Sequence, residues 1–237
     1  MWKVIDTGPA CPETNMRLDA DLLRDLVSNE ESILHLYSWK GISSTYGHFI
    51  KPETLLDLRA AERLGLSLAK RPTGGGVIFH MTDLAFSVLI PAVSPDFSQN
   101  TLSNYAFVND RVSQALRDYM GKDRGVNLLP TEPVPLDSSC KSFCMAKPTK
   151  YDIIVDGRKV GGAAQRQTRW GFLHQGSISI AMPDKNFLEQ VLLPNSRVLE
   201  GMQKHSYTLL GDSWSEDALE QTRNELKELL VQVFTKA

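Results

Sequence analysis

The sequence lacks the features that would indicate a membrane protein, a secreted protein or a nucleic-acid-binding protein. No apolar run approaches the ~20 residues that a membrane-spanning helix needs. The first residues include acidic and turn-forming side chains, where a secretory signal would need a continuous apolar stretch. With 26 basic and 28 acidic residues, the formal net charge of −2 gives no general attraction to nucleic acid or to an anionic membrane. We therefore expect a cytoplasmic protein that acts on neither membranes nor nucleic acids.

Cysteine is also scarce, since the chain contains only Cys11, Cys140 and Cys144. An odd and sparse set is not typical of a secreted disulfide framework. Cys140 and Cys144 are four residues apart, but no second Cys/His pair at ligand spacing accompanies them, which argues against structural zinc. We therefore expect no metal site and at least one free thiol.

The spacing of apolar residues predicts more strands than helices. Helices are expected at residues 15–27 with Asn15 as the cap, at 53–64, at 102–120, and at 213–234 with a capping box of Ser213 and Glu216. Strands are expected at 33–39, 43–49, 77–80, 83–90, 151–155, 158–160 and 172–182, with a type I′ turn at Asp156-Gly157. Residues 121–149 are predicted to form a long ordered loop. These hairpins favour one α+β domain over residues 1–237, built on a largely antiparallel sheet.

Three consecutive glycines precede a predicted strand, in the stretch Arg71-Pro72-Thr73-Gly74-Gly75-Gly76. A loop without side chains can adopt positive φ and lets a ligand lie against backbone N–H groups. Arg71 would supply a forked cation for a phosphate or a carboxylate. The spacing is that of neither a Walker A loop nor a GxGxxG turn, so taken alone the stretch is equally well explained as a flexible turn.

A second run of small residues, 161–164, follows Lys159 in the predicted hairpin. Such a run packs poorly within a strand, but it suits a place where another molecule approaches the backbone. Because side chains alternate along a strand, we expect Lys159, Gly161 and Ala163 to share one face. That face would be a bare groove for an extended acyl chain, with its carbonyl held by Lys159. The alternative for an isolated lysine is a solvent-facing side chain after a tight turn.

Two further side chains are candidates for chemistry. Cys144 lies fifteen residues before Lys159. A free cysteine is more often a small core residue than a nucleophile, but a nearby ammonium would favour the reactive thiolate. His174 lies in the middle of a predicted strand, where a histidine is more often a structural donor than a general base.

In their order along the chain, these motifs resemble the lipoate–protein ligase and octanoyl transferase family, relatives of biotin–protein ligase. The resemblance runs from about residue 2 to 182 and is carried by residues 71–80, 159–165 and 172–177. It implies an α+β fold with a central mixed, largely antiparallel sheet flanked by helices, as in the biotin/lipoate protein ligase catalytic domain. It implies catalytic roles for Cys144 and Lys159. The positions implied to bind substrate, acyl chain or adenylate are Arg71, Thr73, Gly74, Gly75, Gly76, Val77, Phe79, His80, Gly162, Ala163, Ala164 and His174.

The family contains transferases and ATP-dependent ligases, and the sequence favours a transferase. Cys144, Pro148 and Tyr151 have the spacing of the nucleophile segment in the cysteine-type transferases, and Cys140 does not fall in that register. About 55 residues follow residue 182, too few for the full C-terminal accessory domain that many ligases carry. A transferase would take an octanoyl or lipoyl group from a thioester, such as that of acyl carrier protein, and hold it on Cys144 without a cofactor.

Two alternatives remain open at this point. A ligase would use ATP and Mg²⁺ to activate lipoate or octanoate as an acyl adenylate such as lipoyl-AMP. Cys144 would then take no part in the reaction. A non-catalytic module would bind the acyl group or the lipoyl domain without chemistry. For either enzyme, the resemblance implies an acceptor lysine on the lipoyl domains of 2-oxoacid dehydrogenase E2 subunits or on the glycine cleavage H protein.

Overall fold

A computed structural model describes residues 2–28, 30–121 and 124–236 and arranges their strands in two sheets. The strands are β1 (Trp2–Ala10), β2 (Ser32–Trp39), β3 (Ser43–Tyr46), β4 (Ser67–Lys70), β5 (Val77–Phe79), β6 (Asp83–Pro91), β7 (Asn127–Leu128), β8 (Ile153–Val155), β9 (Arg158–Thr168) and β10 (Gly171–Ser179). The large sheet has the order β1-β2-β6-β10-β9-β8-β7, and the small sheet has the order β4-β3-β5. In the large sheet β1 and β2 run parallel, and the pairs from β2 onward run antiparallel.

Helices cover both faces of the large sheet. They are α1 (Pro12–Asp25), α2 (Leu58–Arg63), α3 (Thr101–Met120), α4 (Lys185–Val191), α5 (Val198–His205) and α6 (Glu216–Thr235), with 3₁₀ turns at Pro52–Thr54 and Ser139–Ser142. The main core lies between α3, α6 and the sheet, where Phe172 is fully buried. The neighbouring Leu173 points to the opposite face and packs against α1. None of the described helices is long and apolar enough to cross a membrane.

The architecture confirms the predicted α+β fold with a mixed, largely antiparallel sheet flanked by helices. The two long amphipathic helices, α3 and α6, lie where their apolar spacing placed them. Both contribute a continuous stripe to one core, so periodicity alone located them well. Ser215, not Ser213, caps α6, because its hydroxyl accepts from the N–H of Ala218.

Several elements differ from the prediction at their ends. Helix α1 begins at Pro12, and Asn15 is buried inside it, donating to the Ser38 carbonyl at 2.9 Å instead of capping. The expected helix at 53–64 is a 3₁₀ turn followed by α2, which Asp57 caps. Strand β3 ends at Tyr46 rather than at Phe49. The loop predicted at 121–149 includes β7 and the turn Ser139–Ser142, and its residues 122 and 123 lie outside the described ranges.

Four elements had no counterpart in the prediction. Strand β1 lies at the edge of the large sheet and contains Asp6, Gly8 and Pro9. Edge strands tolerate such residues because one side of their backbone is unpaired, and the register indeed shifts between Asp6 and Pro9. The others, β4, α4 and α5, are short segments of four, seven and eight residues, too short for a clear period.

Candidate active site

A cavity lies on the face of the large sheet that α1 covers. It collects seven of the predicted site residues, namely Arg71, His80, Cys144, Lys159, Gly162, Ala163 and Ala164. The other side chains and backbone groups of its wall come from Met16, Tyr37, Trp39, Thr45, Ile78, Ala85, Met145, Gln175, Gly176 and Ser177. The wall is mostly apolar with a few polar groups, as in a site that holds an apolar ligand in a defined orientation.

Lys159 is buried at the polar end of this cavity, with 5% of its surface exposed. Its Nζ forms an ion pair with Asp152 Oδ2 at 2.8 Å and donates to the backbone carbonyl of Cys144 at 3.0 Å. The ammonium is therefore adjacent to the cysteine residue, which the sequence could not establish.

Asp152 and Tyr105 complete this cluster, and the sequence analysis did not identify either of them. The Asp152 carboxylate is fully buried, and its Oδ1 accepts from the Tyr105 hydroxyl at 2.6 Å. Burial, followed by the charge of Asp152, raises the pKa of Tyr105 well above its usual value, so this hydroxyl stays protonated as a donor. Asp152 is in the strand-entry segment directly across the hairpin from Gly162, and hairpin pairing was the signal that could have found it.

A β-bulge in β9 decides which small residues face the cavity. Ile153 pairs with Gly161, whereas the next residue, Ile154, pairs with Lys159, so Val160 is an extra residue in β9. As a result Lys159 shares its face with Gly162, and a Cβ at Gly162 would lie 2.5 Å from Lys159 Nζ. A Cβ at Gly161 would instead meet Ile153. The prediction that Lys159, Gly161 and Ala163 share one face was therefore wrong.

Arg71 holds the glycine-rich loop in place and is itself buried. Its Nη1 donates to the carbonyl and hydroxyl oxygens of Thr45 at 3.1 and 2.9 Å. Its Nη2 donates to the carbonyls of Gly74 and Gly76 at 3.0 and 2.8 Å. The guanidinium lines the cavity, but both terminal nitrogens already donate to protein acceptors.

The glycine-rich loop also depends on very close backbone packing. A Cβ at Gly76 would lie 2.3 Å from the carbonyl oxygen of Ser142, and a Cβ at Gly47 would lie 2.0 Å from that of Gly75. Gly75 has φ +83° and is exposed, and a Cβ there would lie 3.8 Å from Cys144 Sγ. The glycines thus bring the loop against the cysteine segment, and Gly75 lies beside the thiol.

The two cysteines of this segment have different environments. Cys144 is half-buried, lines the cavity and donates its backbone N–H to the Val77 carbonyl at 3.0 Å. Cys140 is fully buried in a second core and its thiol donates to the Arg197 carbonyl at 3.4 Å. Burial raises the pKa of the Cys140 thiol, which keeps it protonated. Cys144 is therefore the thiol that a cavity ligand can meet.

Some predicted residues support the site from outside the cavity. Val77 and Phe79 point into the second core, where Phe79 packs against Phe143 and Phe187, and Ile78 between them lines the cavity instead. The Thr73 hydroxyl donates to Gln175 Oε1 at 2.6 Å and so ties the glycine-rich loop to the sheet.

The placement of His174 does not support the expectation that it binds the substrate. Its side chain lies on the opposite face of the sheet, stacked near Phe86 and Tyr105. Nδ1 lies 2.8 Å from the Gln165 amide, and Nε2 has no partner within the described part of the chain. Burial lowers the pKa of His174 to about 3, so the ring is neutral and structural.

His80 is fixed at the cavity wall by three neighbours. Nδ1 lies 2.7 Å from Asp83 Oδ2, Nε2 lies 2.8 Å from the Thr45 hydroxyl, and the ring stacks on Trp39 with 4.0 Å between centroids. Groups of three or more His, Cys, Asp or Glu side chains placed to hold a metal ion are absent from the described residues.

The cavity brings the Cys144 thiol and the Lys159 ammonium to one mostly apolar wall, an arrangement suited to acyl-group chemistry. Residues 11–234 match the Lipoyl protein ligase A/B catalytic domain, and the chain belongs to this family. It is 31% identical over 208 residues to octanoyltransferase LipM of Geobacillus kaustophilus, covering 86% of this chain and 74% of the relative. It is 29% identical over 209 residues to octanoyltransferase LipM of Bacillus subtilis, with the same coverage.

Solved structures show the same fold. One is a bipartite lipoate protein ligase from Thermoplasma acidophilum, from a structural study of that ligase and its E2 lipoyl domain. It has a TM-score of 0.69 and 21% identity to this chain, and the match covers 99% of this chain and 84% of that chain. Lipoate-protein ligase A bound with ATP has a TM-score of 0.66 with 24% identity, covering 98% and 84%.

Proposed function

We propose that this protein is an octanoyltransferase that moves an octanoyl group from a thioester donor to a lysine of lipoyl domains through Cys144. The observation that carries the proposal is the shared cavity, where Lys159 Nζ lies 3.0 Å from the Cys144 carbonyl beside an apolar chamber. The relatives named octanoyltransferase support the choice of acyl group and of reaction. The expected compartment is the cytoplasm, the expected donor is acyl carrier protein, and the expected acceptors are the E2 subunits or the H protein.

In the first step, Cys144 Sγ attacks the thioester carbonyl. The bond from the carbonyl carbon to the donor sulfur breaks, a bond to Sγ forms, and the cysteine proton passes to the departing donor thiolate. The octanoyl chain lies along the apolar wall, against Gly162 and Ala164, where the absence of larger side chains leaves room for it.

In the second step, the neutral ε-amine of the acceptor lysine attacks the Cys144 thioester. An amide bond forms, the bond to Sγ breaks, and a proton of the amine returns to the cysteine. No oxidant, metal or nucleotide enters either step, so the transferase needs no cofactor.

Lys159 stabilises the negative charge that develops on the carbonyl oxygen in both steps. An ammonium held in a fixed position in a buried site does this more effectively than a mobile one, since no reorganisation is needed. Asp152 fixes it from one side at 2.8 Å, and the Tyr105 hydroxyl fixes Asp152 in turn at 2.6 Å. Lys159 is thus the catalytic cation, and the other two are positioning residues.

The ATP-dependent alternative assigns Arg71 to a nucleotide phosphate, and the geometry does not favour that role. Nη1 and Nη2 of Arg71 already donate to four protein acceptors on Thr45, Gly74 and Gly76. A phosphate bound through Nη1 or Nη2 would have to displace these acceptors, which would leave buried carbonyl groups unpaired.

Intact-protein mass spectrometry tests the proposal directly. The protein is incubated with octanoyl–acyl carrier protein, and a parallel sample receives octanoate or lipoate, ATP and Mg²⁺. We expect one octanoyl adduct in the first sample, absent from Cys144→Ala and present in the matched variant Cys140→Ala. Octanoylated lipoyl domain should then appear when it is added to the purified adduct.

Two outcomes would contradict the transferase. An adduct that persists in Cys144→Ala would place the acyl group elsewhere. Lipoyl domain modified only in the ATP sample, with full activity in Cys144→Ala, would identify a ligase.

A further inference from the structure

A basic surface surrounds the glycine-rich side of the cavity and has no part in the chemistry described above. We define it by four exposed cations: Arg17 on α1, Lys70 at the end of β4, Arg166 near the end of β9, and Arg169 in the turn after β9. None of the four has a carboxylate partner among the described residues. Over the whole chain, acidic residues slightly outnumber basic ones, so this surface is a local concentration of positive charge.

The four cations form one continuous surface. Arg17 and Lys70 border one shallow depression, and Arg166 and Arg169 border another. The two depressions meet at Ala20 of α1. Together, within the described residues, they are lined by six Lys or Arg side chains and a single Glu, and of the six cations Arg24 alone pairs with carboxylates, those of Asp21 and Asp25.

This surface is directly connected to the cavity. The first depression shares Met16 and Arg71 with the cavity wall. Arg166 is two residues beyond Ala164 on the same face of β9, and it donates to the Pro72 carbonyl of the glycine-rich loop at 3.4 Å. The positive charges therefore lie next to the glycine-rich loop, whose exposed Gly75 borders the Cys144 thiol.

The charge indicates which of the two substrates binds here. A thioester donor on a phosphopantetheine arm carries a phosphodiester outside the cavity, and a basic surface attracts it. The acceptor delivers a lysine, whose cationic ε-amine a basic surface repels. The donor therefore fits this face better than the acceptor.

The extent of the surface indicates a protein donor rather than a free small thioester. It runs from Arg17 along α1 to Arg169, across two depressions, and a single arm would cover only part of it. At its far end Trp170 is 40% exposed with Arg169 over its ring, and Val27 is 53% exposed. Tryptophan and arginine beside an apolar residue are typical of protein interfaces.

We infer that this basic surface docks an acidic acyl carrier protein and guides its octanoyl thioester to Cys144. The inference rests on the proposed transferase function and adds to it the surface that selects the donor.

The test uses the charge-reversal variant Arg17→Glu/Arg169→Glu, in which neither residue lines the cavity. The matched control is Lys3→Glu/Lys236→Glu, which makes the same charge change at two exposed lysines outside this surface. The rate of Cys144 octanoylation is measured without any acceptor and with three donors. They are octanoyl–acyl carrier protein, octanoyl-coenzyme A, which has the phosphates of the arm without the protein, and octanoyl-N-acetylcysteamine, which has no phosphate. Omitting the acceptor ensures that the rate reports on the donor step alone, and transfer from the purified adduct to a lipoyl domain is measured separately.

We expect the variant to lose about tenfold in the second-order rate constant of acylation with the carrier protein and to match the control with the small thioester. The carrier-protein rate of the wild type should also fall as salt is raised, because the attraction is screened. Small-thioester activity shows that the transferase itself is intact, so a failed transferase and a failed docking surface give different results.

Three results would overturn the inference. An unchanged rate with the carrier protein would show that the surface does not bind the donor. An equal loss with octanoyl-coenzyme A would show that it recognises the phosphates of the arm and not the carrier protein. A variant acylated normally but slow in passing the group to a lipoyl domain would show that the surface docks the acceptor.

Discussion

Gly162→Ala should separate catalysis from folding more sharply than any other single change in the cavity. The added Cβ would lie 2.5 Å from Lys159 Nζ and 2.4 Å from Asp152 Oδ1, whereas ordinary contact begins at 3.4 Å. The two side chains must therefore move apart from the new methyl by about an ångström. Neither moves freely, since Nζ is bonded to Asp152 and to the Cys144 carbonyl, and Asp152 is bonded to Tyr105.

The displacement should lower both the reaction rate and the stability of the fold. Misplacing a catalytic group by about 1 Å costs on the order of 100-fold in rate, and overpacking a buried site costs about 1–3 kcal/mol of stability. Gly161→Ala is the matched control, because the neighbouring Cβ would meet Ile153 at 3.3 Å, which requires a shift of only a few tenths of an ångström. Neither glycine has a positive φ, so backbone strain is the same in both variants.

The assay is single-turnover octanoylation of Cys144 followed by transfer to a lipoyl domain, with urea unfolding of each variant in parallel. We expect Gly162→Ala to lose about 100-fold in the acylation rate and Gly161→Ala to stay within about threefold of the wild type. Equal rates in the two variants would refute the argument that Lys159 needs its present position. A loss of rate that tracks unfolding in both variants would refute it as well.

The remaining predictions concern the supports of the site. Asp152→Asn should lower the acylation rate by about 10–100-fold and destabilise the protein by roughly 3–5 kcal/mol, because the buried Lys159 charge loses its partner. Stopped-flow acylation measures the first effect and urea unfolding the second. A fully active variant would contradict the positioning role of Asp152. Arg71→Lys should raise KM for the thioester several-fold with a smaller change in kcat, since one ammonium cannot replace four donor contacts; an unchanged KM would contradict it. His174 has a pKa of about 3 in the fold against 6.5 in the unfolded chain. Between these two pH values the unfolded chain binds a proton that the folded protein does not, so the free energy of unfolding is highest above pH 6.5 and falls towards pH 3. The expected loss is about 1.4 kcal/mol per pH unit, and the same slope in His174→Leu would disprove it.

The sequence determined the parts of this protein that depend on local pattern. Apolar periodicity located α3 and α6, and an Asp-Gly turn located the hairpin that carries Lys159. The three glycines identified a loop packed too closely for any side chain, as the contact between Gly76 and Ser142 shows. The register of Cys144 with Pro148 and Tyr151 separated it from Cys140, and the structure then placed Cys144 at the cavity and Cys140 in a core.

Tertiary structure alone decided which face of β9 lines the cavity. Alternation along a strand predicts faces only while the pairing is regular, and the extra residue at Val160 shifted the cavity side from Gly161 to Gly162. The support of Asp152 also comes from a chain segment that meets it only in the fold, since Tyr105 reaches Asp152 across 47 residues. A bulge and a long-range hydrogen bond leave no periodic trace in the sequence, because each is set by how separate elements pack together and not by the residues beside it.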